Sequence, residues 1–183
     1  MLLSPLWWVP VASATPVDCD TASDKATFDQ AIVEAEGAIA ALDAIELGQA
    51  VDRARAVVRC VETELSSDEI ARMYRASGIA KYVADDLVAA VLDFEVARAI
   101  APDAPIDESL GKPLRITYDA VPPPTGQFRT LPPPRDGVLV VDGVHTDQAP
   151  VDRAFFLQWL GKDGIVHGTW LVTEGDTPIY PLG

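Results

Sequence analysis

The chain is 183 residues long and 49% apolar, with a formal net charge of −14 and a pI of about 4.3. That apolar content supports a packed core and argues against wholesale disorder. A surface this acidic argues against a nucleic-acid binder, which needs cations to replace phosphate counterions, and against attachment to anionic lipid head groups.

Residues 1–14, MLLSPLWWVPVASA, contain no charged side chain and end in Ala12-Ser13-Ala14, the small-x-small pattern a signal peptidase accepts. They are read as a secretory signal peptide cleaved after Ala14, with a buried N-terminal strand as the competing reading. The stretch is too short to anchor in a bilayer, which takes about 20 apolar residues. No integral membrane segment is expected after cleavage, and the product is expected in the periplasm or outside the cell.

Two cysteines, Cys19 and Cys60, follow. An even count in an exported chain predicts one disulfide, tying the mature N-terminus to a helix. It would close a loop of about 40 residues, worth at most about 3–4 kcal/mol by chain entropy. Without nearby histidines the pair makes no zinc site. Pro16, Val17 and Asp18 ahead of Cys19 do not form a lipobox.

From about residue 22 to 101 apolar residues recur at helical spacing. Phe28, Ile32, Ala35, Ile39 and Leu42 share one face, as do Ala50, Ala54, Val57, Val58 and Val61. Ser66 with Glu69 three residues later predicts a capping box ahead of Ile70, Met73 and Tyr74. A last helix, Leu87 to Ile100, stops at Pro102. Four helices on short connections imply two antiparallel hairpins.

The texture changes near residue 110. Residues 15–110 carry a net charge of −12, and residues 111–183 carry −2 with more Gly, Pro and Val. Leu114, Ile116 and Tyr118 alternate with polar residues, which predicts a half-buried strand. Val138 to Val141 is a second strand, closed by the hairpin dipeptide Asp142-Gly143. Two more, Ala154 to Leu160 and Ile165 to Val172, flank a turn at 161–164. The stretch VPPPTGQFRTLPPPR (121–135) is read as a stiff polyproline crossover between the first strand and the others, rather than a linker or an exposed ligand.

The fold class expected is therefore α+β: N-terminal antiparallel helical hairpins, then a small antiparallel β-sandwich. The boundaries are a signal peptide at 1–14, a helical domain at 15–104 and a β-sandwich domain at 112–183.

Residues 71–104 resemble a tetratricopeptide repeat. Tyr74 stands at the bulky first position, Gly78 at the close-packing glycine and Ala90 where two helices touch, with Phe94, Ala97 and Pro102 at the family's intervals. Ser77 and Lys81 depart from the pattern, and residues 31–64 match it only as a degenerate copy. The resemblance implies a concave peptide-binding face on the first helix of the hairpin, with Arg72, Arg75, Ile79 and Tyr82 outward. The arginines would hold a peptide carboxylate, unless neighbouring Asp and Glu already pair them. The segment PRDGVLVVDGVHTDQAP resembles the start of a PEGA domain, a small β-sandwich of bacterial envelope proteins, on Pro134, Val138 to Val141, Asp142-Gly143 and Pro150. Gln148-Ala149 departs from it.

No catalytic, metal or cofactor motif is present. His145 and His167 lie 22 residues apart without partners, Asp85-Asp86 point in different directions on a helix, and Asp18 and Asp20 lack a calcium loop. The expected role is non-enzymatic: an exported cell-envelope protein that binds a protein or peptide partner through its helical face. The alternative is a secreted enzyme or enzyme inhibitor with its site at the junction of the two parts.

Overall fold

The computed structural model describes residues 24–173, 175–176 and 178–183. The signal-peptide reading at 1–14 and the Cys19 half of the expected disulfide lie outside them. Cys60 is not a free thiol.

The helices form two antiparallel hairpins. The first pairs α1 (Lys25–Ala41) with α2 (Ala44–Val57), and the second pairs α3 (Ser67–Val83) with α4 (Leu87–Ile100). Their starts follow local chemistry. The Asp24, Asp43 and Asp86 carboxylates accept from the first free N–H groups of α1, α2 and α4. Ser66 and Glu69 make the predicted capping box on α3, with Ser66 N–H donating to Glu69 Oε2 at 2.8 Å. The α3–α4 hairpin is close-packed where the smallest residues meet: Gly78 lies directly against the Phe94 ring, and Ala90 is fully buried.

A fifth helix, α5 (Lys112–Asp119), replaces the strand predicted from Leu114, Ile116 and Tyr118. Alternation over five residues also places the first and last of them four apart, on one helical face. Leu114 and Tyr118 are buried while Ile116 stays exposed, as a helix requires. Tyr118 meets Phe94 edge-on, with centroids 5.2 Å apart, and its hydroxyl donates to the Ala104 carbonyl at 3.0 Å. Arg98 closes the C-terminal end of α5 by donating to the carbonyls of Tyr118, Asp119 and Val121. Residues 112–119 thus pack with the helices.

Among the described residues, six short strands make two antiparallel sheets. They are β1 (Phe128–Thr130), β2 (Val138–Val141), β3 (Val144–His145), β4 (Gln148–Pro150), β5 (Phe155–Leu160) and β6 (Val166–Val172). The larger sheet runs β3-β2-β5-β6, and β1 pairs with β4 as a separate ribbon. Asp142 and Gly143 both have positive φ, 52° and 78°, in the two-residue β2–β3 turn, which is the turn expected of Asp-Gly in a hairpin. One face of the sheet, through Leu139, Val141, Phe155, Leu157, Trp170 and Val172, packs with Leu131 and Ala149 of the ribbon side. The opposite face of β5 turns to the helices, where Phe156 joins Phe28, Ile32, Val58, Ile70 and Met73 in one core. Strand β5 is therefore covered on both sides, which explains its nearly unbroken apolar run.

The proline runs divide the work. The first, at 122–124, is exposed and connects α5 to β1, so the crossover joins a helix to the first strand rather than two strands. The second, at 132–134, belongs to the sheet layer. Pro134 bridges to Leu182, Arg135 N–H donates to the Pro181 carbonyl, and the Tyr180 hydroxyl donates to Pro132 at 2.8 Å.

The seam between helices and sheet is polar as well as apolar. Gln158, fully buried in β5, accepts from Leu65 N–H at 2.9 Å and donates to the Thr63 carbonyl at 3.3 Å. Val166 N–H on the β6 edge donates to the Glu62 carbonyl at 2.9 Å. The Ser67 hydroxyl, at the start of α3, donates to the Asp142 carbonyl at 2.7 Å.

Candidate functional site

The four residues expected on a concave peptide-binding face have different surroundings. Arg72 is engaged in a two-pronged ion pair with Glu36 of α1, Nε to Oε1 at 2.7 Å and a terminal nitrogen to Oε2 at 2.6 Å. That matched fork is the strong form of an arginine–carboxylate contact, and it fills the geometry a ligand carboxylate would need. Arg75 is half-buried, near enough to feel the charge of Glu36. Ile79 is not outward: it is 3% exposed and belongs to the core made with Phe94, Ile106, Leu114 and Tyr118. Glu36 of α1 takes Arg72, and the core around Ile79 includes Ala38 of α1 and Leu47 of α2 as well as Ile106, Leu114 and Tyr118, so the chain itself occupies much of what would be an open repeat surface.

The Arg72 donation holds the Glu36 carboxyl below its ordinary value of 4.5, against the opposing effect of burial. A depressed acid stabilises the fold above its unfolded pKa and loses that contribution as pH falls through the folded pKa. Arg72→Met is therefore expected to be less stable than the native chain near pH 7 by about 0.5 kcal/mol, since the pair is part exposed and screened. Urea titrations should show that gap closing below pH 4.5; a gap independent of pH would assign the loss to packing alone.

What remains open is an apolar groove of about 180 Å³ at one end of the bundle. Its walls come from the C-terminal turn of α1 (Ala38, Ile39, Leu42), from Leu47 of α2, from Ile79, Tyr82 and Val83 of α3, and from Leu110 and Leu114 beside and on α5. Two of the four expected residues, Ile79 and Tyr82, thus share this groove, and the two arginines are not in its lining. Leu42 and Val83 of this lining are exposed, and Ile45, Leu87 and Val88 are exposed in the helical turns that follow the two hairpin connections, with Ile45 at 75% and Val88 at 76%. Hairpin turns are normally polar. Large apolar residues at 42 and 83, beside the two hairpin connections, are the sequence signal for this surface, and Leu42 also fits the apolar stripe of α1.

A second cleft, of about 420 Å³, lies at the seam between Ser67, Ala99 and Ile100 on the helical side and Phe128, Val144, Pro150 and Arg153 on the sheet side. Asp142 lines it, and burial raises its carboxyl above the ordinary value in spite of Arg153. That carboxylate is already engaged. Oδ1 accepts from Phe156 N–H at 2.8 Å and Oδ2 from Arg153 at 2.7 Å. An ion pair so enclosed holds the β2–β3 turn against β5 and leaves no free base for chemistry. His145 reaches Glu64 at 2.8 Å and His167 reaches Asp163 at 3.2 Å. Among the described residues, no cluster of three or more His, Cys, Asp or Glu is arranged to hold a metal ion, and no helix is long and apolar enough to cross a membrane.

No family model, curated protein or solved structure matches the chain.

Proposed function

We propose that this chain is an exported, non-enzymatic protein of the cell envelope that binds a partner protein through the groove at the hairpin-turn end of its helices. The helical part is read as tetratricopeptide-like and the sheet part as PEGA-like, with residues 1–14 as signal peptide and a Cys19–Cys60 bridge. One observation carries the binding role: Leu42 and Val83 stand exposed in the lining of an apolar groove, and Ile45, Leu87 and Val88 are exposed in the helical turns that adjoin the two hairpin connections.

The second reading, an enzyme or enzyme inhibitor with its site at the seam, draws support from the larger cleft and the raised Asp142 carboxyl. It is the weaker one because both carboxylate oxygens of Asp142 already have structural partners.

The test is capture from periplasmic extract by the native chain and by Leu42→Ser/Val83→Ser. A partner held by the first and lost from the second is the expected result, whereas equal capture removes the groove from the account. Intact-mass measurement of the exported protein should show loss of residues 1–14 and a mass two hydrogen atoms lower than that of the reduced chain. Retention of those residues, or two free thiols, would overturn the export reading.

A further inference from the structure

The character of the partner follows from the shape and charge of the same groove, and so rests on the reading that the groove is a binding surface. At about 180 Å³ it is too small for a whole drug-sized ligand, whose pockets run to about 300–1,000 Å³. It suits an anchoring apolar side chain, held against the exposed Leu42 and Val83 of its lining. The walls are helices and hairpin turns, with no strand edge to pair an extended backbone. An extended peptide laid there would leave its N–H and C=O groups unmatched against apolar side chains, whereas a helix satisfies its own.

The rim carries charge of one sign. Asp43 stands at the first turn, and Asp85 and Asp86 at the second, all exposed. Nearby cations are committed elsewhere: Lys81 to Asp93 at 2.7 Å, and Arg53 to Glu34 and Glu46. Lys112, exposed at the start of α5, is not in the lining, which includes Asp43. The chain as a whole is at −14. We infer that the groove takes a basic amphipathic helix of a partner protein, its apolar stripe seated between the two hairpin turns and its Lys or Arg residues facing Asp43, Asp85 and Asp86.

The probes are two synthetic peptides of five helical turns, one of leucine and lysine patterned at helical period and one with glutamate for each lysine, plus a leucine–lysine scramble. Binding to the full chain is measured by isothermal titration at low and high salt. The lysine peptide is expected to bind at least about tenfold tighter than the glutamate peptide at low salt, and that advantage should shrink at high salt. Asp85→Asn/Asp86→Asn keeps the left-handed turn residue and the helix cap while removing two charges, and should erase much of that advantage.

Leu42→Ser/Val83→Ser should abolish binding of the patterned lysine peptide. Binding that survives this change, or that the scramble matches, is unspecific attraction to an acidic protein and overturns the proposal. If both patterned peptides bind equally and both are lost with Leu42→Ser/Val83→Ser, the basic partner is wrong but the groove stands. If neither peptide binds while capture from extract still depends on Leu42 and Val83, the helical partner is wrong and the binding role survives.

Discussion

Gly143→Ala is expected to lower the free energy of unfolding by about 2–4 kcal/mol. Gly143 sits at φ 78° in the β2–β3 turn, where an L side chain is strained. More important, a Cβ there would fall inside the van der Waals shell of the Ser67 backbone nitrogen, the first residue of α3. Backbone cannot rotate away as a side chain can. The turn would have to lift from the helix, taking with it the 2.7 Å Ser67–Asp142 hydrogen bond and loosening the enclosed Asp142–Arg153 pair. Gly164→Ala is the matched control. Its φ is 79°, yet nothing lies within 4 Å of an added Cβ, so strain alone should cost about 1 kcal/mol. Urea unfolding of the two variants separates the terms. Equal losses would mean that the seam between helix and sheet yields freely, contrary to its packing.

Gly78→Ala should also destabilise, by about 1–3 kcal/mol, although alanine is the better helix former by about 1 kcal/mol. An added Cβ would enter the ring of Phe94, which is fully buried and held edge-on by Tyr118. Gly37 and Gly48 lie in α1 and α2 with open space around them. Alanine at either should raise stability by about 0.5–1 kcal/mol. The opposite sign at Gly78 is the decisive readout. Adding Phe94→Leu to Gly78→Ala should recover part of the loss, so that the double variant is more stable than the sum of the two single changes predicts. Strict additivity would mean that Gly78 and Phe94 do not meet.

Much of the architecture was legible because local chemistry and periodicity agreed. The Ser66–Glu69 capping box, the stop of α4 before Pro102 and the Asp142-Gly143 turn each need only residues within a few positions of one another. Strands β2, β5 and β6 read as apolar runs between turn residues. Gly78, Ala90 and Phe94 marked a close helix crossing through their sizes and spacing.

Residues 112–119 were misread for a physical reason. Leu114 and Tyr118 satisfy a period of two and a period of four equally, and Gly111 and Pro113 fit the start of either element. Phe94 and Arg98, packed against Tyr118 and holding the end of the helix, decide for α5. The candidate binding face failed in the same way. Arg72 and Ile79 are correctly on α3, but whether such residues face solvent depends on what lies over them. Glu36, 36 residues away, takes the arginine, and the isoleucine is buried in a core drawn from α1, α2, Ile106 and α5.

By itself, then, the sequence determined what each stretch can do locally: the helices and their caps, the hairpin turn, the acidic surface and the α-then-β order. Tertiary structure alone decided which of two permitted elements α5 became, which arginine was left without a free face, and where apolar side chains stayed uncovered. Those outcomes are contacts between distant segments, and their energies exceed the small local preferences on which a reading of neighbours depends.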